Sequence, residues 1–355
     1  MVKDKKPGIL VLQVEVDLGH WRLRDRKPAC YDFSSSKQFQ KPKSPPMKIL
    51  LAAPRGFCAG VNMAVQSLDL ALKHFGAPIY VYHEIVHNQY VVKSFQSKGA
   101  VFVDTLDEIP PHSTVLFSAH GVAPTVRKFA QERQFHAIDA TCPLVTKVHL
   151  EAIKFAKENY TIVLIGHEGH DEVIGTMGEA PEAIILVEST QDVDRLEFQP
   201  TTKLAYLTQT TLSVDDANRI IERLKTRFPW IVGPPKEDIC YATQNRQEAV
   251  RLIASDATKV IVLGSQNSSN SQRLRELAQE QGRQAYLVDG PEDLSVDWFT
   301  RDDVVLVTAG ASAPEEVVLK TLSWLEEHFD AQVELREVRK EEVHFPLPRA
   351  LRVLS

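Results

Sequence analysis

From Met47 onward, short and continuously apolar runs alternate with longer amphipathic stretches. Lys48–Ala53, Pro78–Tyr82, Thr161–Ile165 and Lys259–Leu263 have no polar alternation, the mark of strands buried on both faces. Thr125–Gln134, Asp215–Phe228 and Pro314–Phe329 carry helical periodicity, with Ser213, Asp215 and Pro314 placed as caps or first-turn residues. Buried strands interleaved with amphipathic helices predict an α/β fold with mostly parallel sheets covered on both faces.

The pattern repeats, indexed by cysteine. Cys58 and Cys142 follow the apolar strands Ile49–Ala53 and Ala137–Asp139, and Cys240 precedes a third helical stretch. His87, His170 and Asn270 stand 29, 28 and 30 residues beyond the three cysteines, each just past the next apolar strand. Each of these polar positions leads into a helix, then a strand ending in an acid (Asp104, Glu188, Asp289). A further strand then runs into small polar residues: Ser118-Ala119-His120-Gly121, Thr208-Gln209-Thr210-Thr211 and Thr308-Ala309-Gly310-Ala311-Ser312. Three pseudo-threefold-related αβ units are expected, spanning residues 47–142, 143–239 and 240–329. An extended tail with an edge strand fills 330–355.

Residues 1–46 break this pattern. They carry ten Lys/Arg and five Asp/Glu with Ser34-Ser35-Ser36 and several prolines, and no apolar core of the kind a signal peptide requires. They are expected to be a peripheral N-terminal extension. Over the full 355 residues, 43% apolar and 25% charged positions describe an ordinary globular chain, and a net charge of −6 gives no footprint for nucleic acid. No apolar run approaches the length of a membrane span. Four dispersed cysteines fit a reduced, cytoplasmic setting better than a disulfide scaffold.

In open parallel sheets, ligands bind beyond the carboxyl ends of the strands, where helix N-termini face outward. All three cysteines fall at such ends. A lone cysteine there is most simply a small buried hydrophobe, but three facing a common centre form a ligand set. With no CxxC pair, structural zinc fits poorly. A [4Fe–4S] cluster on three thiolates, with its fourth iron open, fits better. His87, His120, His170, Ser268, Ser269 and Asn270 supply donors for a phosphate pocket without a Walker loop. Asn267–Ser271 alone would also serve as a capping turn ahead of a helix expected to begin near Gln272. Glu172, beside His170, is the candidate proton donor, with Thr210 and Thr211 as relays or hydroxyl partners.

Pro54-Arg55-Gly56-Phe57-Cys58-Ala59-Gly60-Val61, Ser118-Ala119-His120-Gly121-Val122, Asp139-Ala140-Thr141-Cys142-Pro143-Leu144-Val145, Thr208–Ser213, Asp238–Thr243, Gly264–Ser271 and Thr308–Ser312 together resemble the signatures of the 4-hydroxy-3-methylbut-2-enyl diphosphate reductase family. The resemblance runs from about Met47 to the C-terminus. It implies a trefoil of three αβ domains around one [4Fe–4S] cluster held by Cys58, Cys142 and Cys240, with one iron open. It also implies that His87, His120, Ser268, Ser269, Asn270 and Ser312 hold a prenyl diphosphate, that His170 and Thr210 lie near its hydroxyl, and that Glu172 is the proton source. Reduced ferredoxin or flavodoxin would deliver electrons for reductive dehydroxylation to isopentenyl and dimethylallyl diphosphate, the last step of the non-mevalonate isoprenoid pathway. Two rivals stay open on sequence: quinolinate synthase, whose substrates are carboxylates, and an iron or redox sensor without catalysis.

Overall fold

The structure is a computed structural model that describes residues 46–352. The N-terminal extension, with the weakly alternating segment Ile9–Leu18, lies outside the described residues. β1 (Lys48–Ala53) leads through Cys58 into α1 (Ala59–Phe75), followed by β2 (Ile79–Tyr82), α2 (Gln89–Ser97), β3 (Ala100–Val103), β4 (Thr114–Phe117), α3 (Pro124–Glu132) and β5 (His136–Asp139). Past Cys142 come α4 (Pro143–Lys157), β6 (Thr161–Ile165), α5 (Asp171–Glu179), β7 (Ile184–Val187), α6 (Thr190–Arg195), β8 (Leu204–Thr208) and α7 (Val214–Arg227). Past Cys240 come α8 (Tyr241–Ile253), β9 (Lys259–Leu263), α9 (Ser269–Glu280), β10 (Gln284–Val288), β11 (Val304–Ala309), α10 (Glu315–Phe329), β12 (Gln332–Glu337) and α11 (Arg349–Arg352).

The strands form three sheets, ordered β3-β2-β4-β5, β7-β6-β8 and β10-β9-β11-β1-β12, and every pairing is parallel. In each, the strand that opens the unit (β2, β6 or β9) lies between the two that follow it. Continuously apolar strands bury both faces: Val260, Ile261, Val262 and Leu263 are all inaccessible, as are Ile162 and Val163.

One grouping differs from the sequence reading. β1 pairs with β11 and β12, Leu50 opposite Leu306, so Lys48–Ala53 belongs to the third sheet rather than to the unit 47–142. Strand order is a non-local property, and a buried run of this kind fits either sheet equally well. The consequence is a cyclic plan. β1 lies in the third sheet, but α1, one cysteine further on, packs on β2 of the first. β5 lies in the first sheet, and α4, beyond Cys142, packs on β6 and β8 of the second. Cys58 and Cys142 therefore stand where the chain passes from the sheet of one unit to a helix of the next.

The tail behaves as expected at its start, with β12 at the edge beside β1. It then returns to the first unit, where Leu351 is fully buried among Leu68, Ala71 and Ile79. Among the described residues no helix is long and apolar enough to cross a membrane.

Candidate active site

Each cysteine caps a helix. Cys58 precedes α1 and its sulfur accepts from the Val61 amide at 3.5 Å; Cys240 precedes α8 and accepts from the Thr243 amide at 3.4 Å. Cys142 precedes α4, with Pro143 in the first turn as the sequence suggests. Gly60 lets Cys58 and Cys142 approach: a Cβ added there would sit 2.5 Å from the Cys142 sulfur and 3.9 Å from that of Cys58. Burial, then the nearby Cys58, pushes the Cys142 thiol up to about 12 and that of Cys240 up to about 11. Cys58 and Cys240 both lie near enough to act on the Cys142 thiol, so the three share one neighbourhood.

A second set of helix starts supplies the polar side chains. Asn88, next to His87, caps α2 by accepting from the Val91 amide at 3.0 Å. His170 caps α5, its Nδ1 accepting from the Glu172 amide at 3.1 Å. Ser268 caps α9. That helix begins at Ser269, three residues ahead of the expected Gln272: with its cap satisfied by Ser268, the polar run that resembles a turn is in fact a first helical turn. Asn270 is thereby buried, 4% exposed, with neither side-chain amide atom partnered. A third set of loops, ahead of α3, α7 and α10, carries His120, Thr210 and Ser312.

These residues converge. The His87 and His120 rings stack with centroids 4.0 Å apart, and His170 meets them edge-on at 5.3 and 5.9 Å. The Ser312 hydroxyl donates to the His87 carbonyl at 2.9 Å and lies 3.4 Å from the Ser268 hydroxyl. Ser269 is turned away, donating to the Thr211 carbonyl at 3.3 Å. Because His170 Nδ1 accepts a backbone N–H, its proton sits on Nε2. Burial holds this imidazole down at about 4, and burial with the neighbouring imidazoles holds His120 well below its ordinary value, so both are neutral donors near pH 7.

Glu172 is 2% exposed. One carboxylate oxygen accepts from the Thr210 amide at 2.6 Å and the other from the Thr210 hydroxyl at 2.9 Å. Burial outweighs these bonds and raises the carboxyl to about 7. The Thr210 carbonyl also accepts from the Cys240 amide at 3.1 Å, so one residue ties the acid to the thiol.

Two site residues escaped the sequence reading. Asp171 accepts from His83 Nδ1 at 2.7 Å and stands 3.8 Å from His120 Nδ1. His83 follows a strand at φ +57°. The two adjacent acids after His170 were the available signal for Asp171; His83 offered none, standing alone just past the end of β2. His167, given no role, is exposed beside Glu188.

Fold and site define a three-unit parallel α/β protein with a cysteine-, histidine- and carboxyl-lined centre where its units meet. The sequence profile of the "LytB protein" family matches residues 49–326, and the chain belongs to that family. It is 72% identical over 310 residues to a 4-hydroxy-3-methylbut-2-enyl diphosphate reductase of Rhodopirellula baltica, covering 87% of this chain and 97% of the relative. It is 51% identical over 310 residues to one of Streptomyces coelicolor, covering 87% and 92%. Among solved structures it is similar to the E-1-hydroxy-2-methyl-but-2-enyl-4-diphosphate reductase of Plasmodium falciparum, with TM-score 0.85 and 40% identity over 87% of this chain and 98% of that one.

Proposed function

We propose that this chain catalyses the reductive dehydroxylation of (E)-4-hydroxy-3-methylbut-2-enyl diphosphate to isopentenyl and dimethylallyl diphosphate, the last step of the non-mevalonate isoprenoid pathway. Membership of the family supports the reductase assignment. The observation that carries the mechanism is the buried Glu172 carboxyl, held by Thr210 in the same centre as three thiols.

Cys58, Cys142 and Cys240 would hold one [4Fe–4S] cluster. The closeness of three thiols from separate segments supports this, Cys58 and Cys240 both acting on Cys142, with no local ligand pairs for a closed zinc site. When bound, such a cluster supplies single electrons and one iron open to an oxygen ligand. Buried thiols pushed up to about 11 and 12 need a cation beside them to ionise, which the same group provides.

The chain's own residues do the rest. His87, His120, Ser268, Ser269, Asn270 and Ser312, at the starts of four helices, hold the diphosphate, and Ser269 turns from the Thr211 carbonyl to reach it. The unpartnered Asn270 amide finds its partner there. His170 donates from Nε2 toward the substrate hydroxyl, and Thr210 faces it from the other side. Glu172, still substantially protonated near neutrality, gives its proton to the departing hydroxyl, which leaves as water. Two electrons, arriving singly from reduced ferredoxin or flavodoxin, and a second proton on either end of the allylic system complete the balance. Diphosphate binding fixes the reacting carbon and lets remote binding energy serve the chemical step.

The test is turnover under anaerobic conditions with reduced viologen as donor. Formation of the two isomeric diphosphates supports the reading. Inertness toward the hydroxylated diphosphate, with no binding of isoprenoid diphosphates by calorimetry, would overturn it and return the carboxylate-substrate and sensor alternatives.

A further inference from the structure

Three side chains of the site lie close enough together to share one ion. His87, His120 and Asp171 each offer one ligand atom, all within 4.8 Å of one another, the only such set among the described residues. Each is also steadied by an outer partner. His87 Nδ1 faces the Glu84 carboxylate at 3.3 Å, His120 Nδ1 faces the Ser118 hydroxyl at 3.2 Å, and Asp171 Oδ1 accepts from His83 at 2.7 Å. Glu84 is itself fixed by Gln89 and Asn267, each at 2.8 Å. A hydrogen-bonding partner behind each ligating side chain, here a carboxylate, a hydroxyl and an imidazole, is the arrangement that orients metal ligands. Two imidazoles with one carboxylate, and coordination positions left open, suit a divalent transition-metal ion.

We propose that His87, His120 and Asp171 form a binding site for one divalent transition-metal ion. Ligand atoms around such an ion lie roughly 3.3 Å apart, from metal–nitrogen bonds of about 2.0–2.1 Å, so side-chain rotations alone would close the set. The consequence for catalysis rests on the diphosphate placement given above. An imidazole nitrogen that binds a metal through its lone pair has no proton to donate to a phosphate oxygen. Metal on these nitrogens removes the two imidazole donors assigned to the diphosphate, so substrate binding weakens and free metal inhibits the enzyme.

The experiment uses the cluster-loaded protein, kept anaerobic, with chelator-buffered Zn²⁺ as the probe. One zinc per chain beyond the cluster metal is expected, with X-ray absorption at the zinc edge showing nitrogen and oxygen neighbours and no sulfur. Asp171→Asn should weaken zinc binding at least ~10-fold. Absence of saturable zinc binding, sulfur in the zinc shell, or unchanged affinity in Asp171→Asn would overturn the site; the absorption measurement on the unaltered protein does not depend on how the variant folds. At fixed free zinc, inorganic diphosphate should raise the apparent zinc Kd. If it leaves zinc binding unchanged, the metal site stands and the placement of diphosphate on His87 and His120 fails instead.

Discussion

Glu172 shows how one carboxyl is kept ready for the proton transfer proposed for it. Its proton affinity is raised by burial and restrained by Thr210, and the balance at about 7 leaves a large protonated fraction at neutral pH. Turnover driven by reduced viologen should therefore fall as pH rises through about 7. Glu172→Gln should lose that limb and at least ~10²-fold in kcat, the usual contribution of a general acid, with iron content unchanged; near-normal turnover would remove Glu172 from the mechanism. The same shift acts on stability. The folded protein holds this proton more tightly than the unfolded chain, so the contribution is present below the ordinary value of 4.5 and lost as pH rises to about 7. Gly60 makes a sharper claim about the thiols. Gly60→Ala puts a methyl 2.5 Å from the Cys142 sulfur, and we expect a folded protein with reduced iron content by metal analysis. Glu172 was legible in the sequence because it follows a histidine at a helix start. Its burial was not, since that depends on the strand end at Thr210, many residues away.

At the scale of elements, the site is an assembly of helix starts. Cys58, Cys142 and Cys240 begin α1, α4 and α8, while Asn88, His170 and Ser268 cap α2, α5 and α9. The partial positive charge at such helix starts favours an anion, in keeping with imidazoles, hydroxyls and an amide as the proposed diphosphate contacts. Ser268→Ala removes the cap of α9 and should cost about 1 kcal/mol of stability, together with a raised KM, both measurable on one preparation. Asn270→Ala separates the two effects. It deletes a buried amide that has no protein partner, so KM should rise with little loss of thermal midpoint; a large loss of stability without a change in KM would show that Asn270 is structural. The strands were readable as continuous apolar runs, and Pro143 and Ser213 as helix starts. The first turn of α9 was not, because Ser-Asn-Ser has the composition of a loop and only the cap at Ser268 makes it helical.

The whole molecule is three units closed into a cycle by crossings at the cysteines, and the closure has its own fastening. Arg246 of α8, fully buried, donates to the Gly56 carbonyl at 2.6 Å ahead of Cys58 and pairs with Glu341 of the tail at 3.0 Å. Tyr241 accepts from the Ala59 amide at 3.2 Å across the same junction. Glu341→Ala leaves the Arg246 charge without its carboxylate. Because Glu341 keeps some exposure, we expect a loss of about 2 kcal/mol, below the ~3–5 kcal/mol of a wholly buried pair, read as a lower thermal or denaturant midpoint. The threefold repeat was visible in the spacing of Cys58, Cys142 and Cys240, whereas the transfer of β1 to the third sheet and the grip of Arg246 on the first cysteine loop arise from contacts between distant segments. The central claim is that the cycle brings three thiols around iron with a position left over for substrate. Mössbauer spectroscopy of ⁵⁷Fe-enriched protein, purified without air, tests it most directly. One iron of a four-iron cluster should differ from the other three and change on adding the hydroxylated diphosphate; an iron-free protein, or a cluster indifferent to the substrate, would contradict the account.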